Sequence, residues 1–208
     1  MFQIKRIPMY NYEIINVSNI AIYFCKNPDK LISDEELMDK IVILPYFRKT
    51  KALEFRFMID RKLSFFAYDL TRIALEKEHK IITNMPWSYK DNHKPYLKEY
   101  LDVNFNVSHC KDMVASAVSC CNVGIDVESF IDFDEDLVRH IANDKEYYAI
   151  KYAVNPSIEL TRLWTQKESY LKFKGWGLVD NLRDLFDKYK YYSIETIIFE
   201  NCVISICF

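Results

Sequence analysis

The sequence lacks the features that place a protein in a membrane or on a nucleic acid. No apolar run is long enough to span a bilayer, and residues 1–6 lack the apolar stretch of a signal peptide. The 28 basic and 30 acidic side chains nearly balance, so no overall field attracts nucleic acid or an anionic membrane. Hydrophobic residues make up 50% of the chain, which allows a sizeable core. We therefore expect a cytoplasmic globular protein in which any phosphate is bound by a local site.

The sequence also lacks cysteine pairs at the spacing of zinc ligands. Most of its cysteines lie in apolar runs, and the adjacent Cys120 and Cys121 would point to opposite sides of a strand. We expect all six to be reduced and mostly buried, with neither a metal nor a disulfide. They are Cys25, Cys110, Cys120, Cys121, Cys202 and Cys207.

Glycine is scarce, with only three in 208 residues. Gly124, Gly175 and Gly177 all lie beside polar residues that could form a site. Glycine is required where φ is positive or where the backbone must come close to another group. Their positions therefore predict two constrained loops or strand starts next to that site.

A short apolar run, residues 123–128, carries two carboxylates two positions apart. In a strand, Asp126 and Glu128 would project to one face while Ile125 and Val127 project to the other. Two carboxylates in one small volume need a cation between them, or one of them must take up a proton. The same spacing also occurs on the exposed face of an edge strand. The run alone therefore leaves a metal site, a perturbed acid and a solvated face as alternatives.

The first half of the chain predicts strands followed by helices. Residues 20–25 are apolar on both faces, as in a central strand, and residues 27–29 predict a turn. Ser33 with Glu36 forms a capping-box pattern, which predicts a helix that reaches Ile41. A longer amphipathic helix is predicted over residues 53–75. Its buried stripe is Ile59, Leu63, Phe66, Leu70 and Ile73, and Arg61, Arg72 and the bordering Lys62 are interpreted as solvated charges.

Strands are then predicted over residues 104–109 and 113–119, and the first of them ends in small hydrogen-bonding residues. Lys94 precedes a proline, which restricts it to an extended conformation and so holds it in a defined place. Ser108 and His109 could be a nucleophile and its base, but neighbours in a strand face opposite ways and no third group orients the histidine. A hydroxyl, an amide and an imidazole around a phosphate fit the segment better.

The last long helix is predicted to begin at Ser157, a good N-cap, and to end at residues 175–178. Glu168 and Lys172, four positions apart, share one face, whereas Lys167 turns back toward the apolar stripe. Such a Glu–Lys pair is also common on exposed helices. The stripe is Leu160, Leu163, Trp164 and Leu171, and a closing hairpin is predicted from strands 191–199 and 202–208.

Taken together, four of these stretches resemble the 4'-phosphopantetheinyl transferases of the Sfp type. They are Lys94-Pro95-Tyr96, the segments 105–109 and 123–128, and Trp164, Lys167, Glu168 and Lys172 with Gly175, Gly177 and Leu178. The resemblance implies an α+β pseudo-dimer of two similar halves, residues 1–122 and 123–208, with coenzyme A in the cleft between them. It also implies transfer of the 4'-phosphopantetheine group to a serine of an apo carrier protein, with release of 3',5'-ADP, by a monomeric enzyme.

The resemblance further implies roles for individual residues. Asp126, Glu128 and Glu168 would hold Mg²⁺ at the pyrophosphate, and either Glu168 or a metal-bound water would be the base. Lys172 would stabilise the pyrophosphate and the departing 3',5'-ADP. The remaining coenzyme A contacts would come from Lys94, Ser108 and His109, with Arg61 or Lys62 as the residue for the 3'-phosphate.

The chain departs from the family at Cys110, where a serine or another small polar residue is usual. Two other functions use the same residues. A magnesium-dependent nucleotide or pyrophosphate hydrolase would need no protein acceptor, and a non-catalytic relative would only bind coenzyme A or a carrier protein. The residues do not indicate whether the carrier serves fatty-acid, polyketide, nonribosomal-peptide or amino-acid reductase chemistry.

Overall fold

The computed structural model describes residues 4–7, 9–82, 87–89, 94–177, 182–188 and 192–208. They form a mixed fold of helices and strands, as predicted. The strands are β1 (Lys5–Ile7), β2 (Tyr12–Val17), β3 (Ile20–Lys26), β4 (Ser88–Tyr89), β5 (Pro95–Tyr96), β6 (Asn104–His109), β7 (Met113–Ser119), β8 (Gly124–Ser129), β9 (Ile194–Ile198) and β10 (Cys202–Cys207). The helices are α1 (Pro28–Leu31), α2 (Asp34–Val42), α3 (Tyr46–Glu54), α4 (Met58–His79), α5 (Glu135–Ile141), α6 (Asp144–Lys151), α7 (Pro156–Lys174) and α8 (Leu185–Lys188).

Two antiparallel sheets form the centre of the fold. The larger has the strand order β1-β2-β3-β7-β6, and the smaller has the order β8-β10-β9. Apolar residues from β3 and β7 share one buried cluster with residues from β8 and β10, so the two sheets pack against each other. A second cluster joins the larger sheet to α4, and a third joins the smaller sheet to α7. The helices therefore cover the outer faces of a two-sheet core.

The strands β6 and β8 bring the two sheets together at one edge. The side-chain Oδ1 of Asn106 accepts a hydrogen bond of 2.8 Å from the backbone N–H of Ile125. This bond satisfies a buried backbone donor and fixes β8 beside β6. The polar ends of both strands are consequently held close together, which positions the candidate site.

Several predicted helix ends are confirmed and one is wrong. Ser33 is the N-cap of α2, and its Oγ accepts from the backbone N–H of Glu36 at 3.1 Å. The N-cap of α7 is Asn155 and not Ser157, because Pro156 fits the first helical position and the Asn155 side chain accepts from the N–H of Ile158. The helix ends at Gly175, whose φ of 69° is left-handed, as the glycine pattern predicted.

The first half differs from prediction at two places. Residues 27–29 lead into the short helix α1 rather than a simple turn, with Pro28 at its first position. The helix predicted over residues 53–75 is confirmed as α4 from Met58 onward, but residues 53–54 end α3, and an extended backbone at Phe55 and Phe57 separates the two helices. The break lets α3 fold back along α4, where the guanidinium of Arg48 donates to the carbonyl oxygen of Ser64 at 2.9 Å.

The closing hairpin is confirmed as β9 and β10, although residue 191 lies outside the described ranges, as does Leu178. All six cysteines are free, and four of them are buried, whereas Cys120 and Cys121 are exposed. In the part of the chain that the structure describes, no helix is long and apolar enough to cross a membrane.

Candidate active site

A cavity of about 370 Å³ lies where β6, β8 and α7 meet. It contains six residues that the sequence indicated as site residues, together with two apolar ones. The lining residues are Val107, Ser108, His109, Asp126, Glu128, Trp164, Glu168 and Lys172. Trp164 was predicted to be part of the buried stripe, but it is only half-buried and faces the cavity. Its position four residues before Glu168 places it on the same helical face, which is the signal that sequence reasoning missed.

The two strand carboxylates share one face, as predicted. Asp126 and Glu128 both line the cavity, whereas Ile125 and Val127 are completely buried in the core between the sheets. Asp126 is only 5% exposed. The alternative of a solvated edge-strand face is therefore wrong, because a buried carboxylate has to be balanced by a cation or a proton.

Lys172 supplies a positive charge to this carboxylate. Its Nζ donates to Oδ1 of Asp126 at 2.6 Å and to Oγ of Ser108 at 2.9 Å. Ser108 in turn donates from Oγ to the same Oδ1 at 2.8 Å. The other oxygen, Oδ2 of Asp126, is buried and has no hydrogen-bond partner among the described residues.

The two glutamates of the cavity are harder to ionise than usual. Burial raises the pKa of Glu128, and the charge of Asp126 raises it further. Burial and Asp126 raise the pKa of Glu168 in the same way, and its Oε1 is buried without a hydrogen-bond partner in the described part of the chain. Partial burial of the ring and the charge of Lys172 lower the pKa of His109. The cavity thus concentrates negative charge that its own residues do not fully neutralise.

This charge predicts that Glu168→Gln stabilises the metal-free protein near neutral pH. A carboxyl whose pKa is raised by folding stabilises the protein while it is protonated. That stabilisation is lost as the pH rises above about 4.3, the ordinary pKa of a glutamic acid, and through the raised pKa of the folded state. The variant should therefore have the higher Tm at pH 7 to 8, by about 2–4 °C for each kcal/mol gained. The advantage should vanish below about pH 4, where the glutamic acid is protonated in both states. Calorimetry in the presence of chelator measures it, and a lower Tm for the variant at pH 8 would contradict it.

Lys94 lies in a smaller adjoining cavity of about 200 Å³. Its Nζ donates to Oδ1 of Asn122 at 2.6 Å and to the carbonyl oxygen of Val123 at 2.8 Å. A third, longer bond of 3.3 Å reaches the carbonyl oxygen of Phe173 near the end of α7. Because Lys172 lines both cavities, the two spaces adjoin and could together hold an elongated anionic ligand.

Arg61 and Lys62 line neither of these two cavities. Lys62 was interpreted as a border residue with a solvated charge, but it is buried, and its Nζ lies 3.0 Å from Asp29 Oδ1 and 2.9 Å from Asp34 Oδ1. Arg61 donates from Nε to the carbonyl oxygen of Phe55 at 2.9 Å. Their assignment to the 3'-phosphate stays a prediction, and the contacts of Lys62 give it a structural role in the first half.

Lys167 turns away from the cavity, as predicted. It is completely buried, and its Nζ lies 2.7 Å from Oε2 of Glu146. The same ammonium donates to the carbonyl oxygens of Ile141, Leu182 and Arg183. These bonds tie α7 to α6 and to the segment before α8. They therefore restrain the rotation of α7, which directs Glu168 into the cavity.

Gly124 allows the carboxylate strand to touch α7. A Cβ at this position would overlap the carbonyl oxygen of Ser169 and the backbone N of Phe173. We expect Gly124→Ala to lower the free energy of unfolding by about 3 kcal/mol, because backbone atoms cannot move aside as a side chain can. Urea denaturation measures the loss. Gly177→Ala is the matched control, since a Cβ there meets nothing within 4 Å. Equal stability of the two variants would contradict the prediction.

The carboxylate oxygens of the site are ligands that suit a hard divalent cation. Asp126 and Glu168 each hold a buried oxygen that lacks a partner in the described ranges, and Mg²⁺ prefers carboxylate oxygens with phosphate and water. In the present arrangement, however, no three His, Cys, Asp or Glu side chains within the described residues are gathered closely enough to form a metal centre. The carboxylates would therefore need to move together, or share the metal with a bound phosphate.

The site lies largely within a recognisable family domain. Residues 122–198 match the family model of the 4'-phosphopantetheinyl transferase superfamily, and this region contains Asp126, Glu128, Glu168 and Lys172. The match covers 77 of the 208 residues, and Ser108 and His109 lie outside it.

Individual relatives give the same result. The chain is 28% identical over 136 residues to the 4'-phosphopantetheinyl transferase psf-1 of Bacillus pumilus, a match that covers 64% of this chain and 58% of the relative. It is 34% identical over 87 residues to the transferase gsp of Aneurinibacillus migulanus, covering 41% and 36%. The match to Sfp of Bacillus subtilis is 23% identical over 153 residues, covering 72% and 68%. The resemblance to Sfp-type 4'-phosphopantetheinyl transferases is confirmed, over about one third to two thirds of each relative's length.

Proposed function

We propose that the chain transfers the 4'-phosphopantetheine group of coenzyme A to a serine of an apo carrier protein and releases 3',5'-ADP. The observation that carries the proposal is the cavity in which Lys172, Ser108 and three carboxylates meet, within a region that matches transferases of this kind. The serine of the carrier is the nucleophile, so the chain needs none of its own. Nucleophilic catalysis by Ser108 is disfavoured further because its hydroxyl donates its hydrogen bond to Asp126 and not to His109.

The chemistry requires negative charge to be neutralised where the phosphorus is attacked. The carboxylates Asp126, Glu128 and Glu168 would hold Mg²⁺, which supplies Lewis-acid stabilisation of the pyrophosphate when bound. Lys172 would bind a phosphate oxygen and then the leaving 3',5'-ADP. The Lys172 side chain is 29% exposed and lines both cavities, so its ammonium can reach a ligand in either one.

Glu168 is our candidate for the base that accepts the serine proton. Burial raises its pKa toward the range in which a carboxylate accepts protons efficiently. Ser108 and His109 would bind phosphate oxygens on the opposite wall, and Lys94 would lie near the nucleotide in the adjoining cavity. The half-buried Trp164 is an added candidate for contact with the ligand.

We also propose that the fold is a pseudo-dimer of halves 1–122 and 123–208. The order β3-β7-β6 in the larger sheet is matched by β8-β10-β9 in the smaller one, with α4 and α7 as the equivalent helices. Each half has a buried hydroxyl pair between that helix and the middle strand. Thr71 lies 2.8 Å from Ser116 in the first half, and Thr165 lies 2.8 Å from Ser205 in the second.

The two hydroxyl pairs support one register in which the halves can be compared. The strand residue opposite the buried serine is Tyr23 in the first half and Asp126 in the second. Seven positions after the buried threonine the helices carry Glu78 and Lys172. Tyr23 donates to Glu78 at 2.6 Å, just as Lys172 donates to Asp126 at 2.6 Å. A polar pair thus recurs at the same place, but only the second half has the charges of a metal site.

Intact-protein mass spectrometry of several apo carrier proteins tests the proposed function. We expect a carrier incubated with the protein, coenzyme A and Mg²⁺ to gain one phosphopantetheine group, and chelator to abolish the gain. Breakdown of coenzyme A without transfer would favour the hydrolase instead. Binding of coenzyme A without either reaction would favour a non-catalytic relative. The carrier that is modified fastest would identify the pathway. Light scattering tests the oligomeric state, and a monomer would agree with a cleft formed between the two proposed halves of one chain.

A further inference from the structure

The ammonium of Lys172 already contacts a carboxylate that the proposed function assigns to the metal. The ammonium of Lys172 contacts Asp126 Oδ1 at 2.6 Å and Ser108 Oγ at 2.9 Å. The side chain of Asp126 is 7% exposed, so water screens this ion pair far less than it would screen a surface pair. The pair is therefore a substantial part of the electrostatic balance of the ligand-free site.

Among the described lining residues, the positive charge of the cavity comes from one side chain. Of the described residues that line the cavity, Lys172 alone carries a permanent positive charge, opposite three carboxylates. Ser108 strengthens the pair, since its hydroxyl accepts from Lys172 and donates to Asp126. A divalent cation that binds Asp126 must therefore displace this ammonium or bind beside it, and either costs free energy.

We propose that Lys172 competes with the metal for Asp126, so that the divalent cation binds tightly only when phosphates of the co-substrate draw the ammonium away. The inference rests on the proposed function, because it takes the three carboxylates as the metal site. It deepens that function by assigning the ligand-free enzyme a self-balanced state. Lys172 also lines the adjoining cavity, so phosphate bound between the two spaces would lie within reach of the ammonium.

The competition makes metal and co-substrate mutually dependent. By linkage, any factor by which coenzyme A raises metal affinity equals the factor by which metal raises affinity for coenzyme A. Part of this coupling between metal and coenzyme A would come directly from phosphate oxygens that bind the metal. The other part, which we assign to Lys172, should disappear when a substitution removes the ammonium.

Titration with Mn²⁺, followed by the electron paramagnetic resonance signal of the free ion, tests the proposal without any reaction. In the absence of coenzyme A, Lys172→Met should bind Mn²⁺ about tenfold to a hundredfold more tightly than wild type, the range that one hydrogen-bonded charge contributes. Ser108→Ala, which loosens the pair without changing charge, should give a smaller gain. Added coenzyme A should increase Mn²⁺ affinity of wild type more than that of Lys172→Met.

Lys174→Met is the matched control, since it removes a lysine from the same helix end that lines neither cavity. It should bind Mn²⁺ as wild type does, and circular dichroism should show that every variant is folded. Equal Mn²⁺ affinity of wild type and Lys172→Met, or an equal gain in Lys174→Met, would overturn the competition alone. Absence of Mn²⁺ binding in all variants, with and without coenzyme A, would overturn the metal assignment as well. Loss of transfer with the expected Mn²⁺ affinities would leave the competition standing and refute only the proposed reaction.

Discussion

Asp126→Asn is expected to lower the rate of phosphopantetheine transfer by about a thousandfold, the effect of losing a few kcal/mol of metal-based stabilisation. Asn keeps the size of the side chain but removes the charge that balances Lys172 and would hold Mg²⁺. The measurement is the initial rate at which an apo carrier protein gains mass at saturating coenzyme A.

Asp136→Asn serves as the control for that experiment. Asp136 is an exposed acidic residue of α5 outside the cavity, so its loss should leave the rate unchanged. Calorimetry separates a site effect from unfolding. A rate for Asp126→Asn within tenfold of wild type would show that Asp126 is not required, and would remove this carboxylate from the mechanism.

Lys167→Met is expected to lower the free energy of unfolding by about 3–5 kcal/mol, because it removes one partner of a buried ion pair. The variant leaves Glu146 without its cation and leaves three carbonyl oxygens of neighbouring segments without their shared donor. Guanidinium denaturation followed by circular dichroism measures the loss. The cavity should be affected too, since Lys167 precedes Glu168 in the helix.

Two further variants identify the source of this instability. The double variant Lys167→Met with Glu146→Gln removes the unpaired charge, so it should recover part of the loss. Lys174→Met removes an exposed lysine that lies over the rings of Tyr170 and Phe173, so it should cost no more than about 1 kcal/mol. A Lys167→Met protein as stable as Lys174→Met would show that the buried pair contributes little.

The sequence predicted those parts of the site that depend on local geometry. The alternation of a strand was enough to place Asp126 and Glu128 on one face, and the helical period was enough to pair Glu168 with Lys172 and to turn Lys167 inward. Each of these statements concerns residues within five positions of one another. Backbone geometry decides such relations with little help from the rest of the fold.

Contacts between distant segments could not be predicted in this way. No period in the sequence indicates that Lys62 is neutralised by Asp29 and Asp34, or that Lys172 lies against a serine of another strand. The helix start at Asn155 was missed for a smaller reason. Both Asn155 and Ser157 are good caps, and the choice follows from the proline between them.

The polar pair of Tyr23 and Glu78 has a consequence for how metal and coenzyme A saturate the protein. Under the proposed pseudo-dimer, the position that corresponds to Asp126 holds the completely buried ring of Tyr23, so it offers no carboxylate to a second metal. With the halves related as proposed, the site at Asp126 has no counterpart at Tyr23 with which it could cooperate. Metal and coenzyme A should each saturate the protein along a simple hyperbola, at one equivalent per chain.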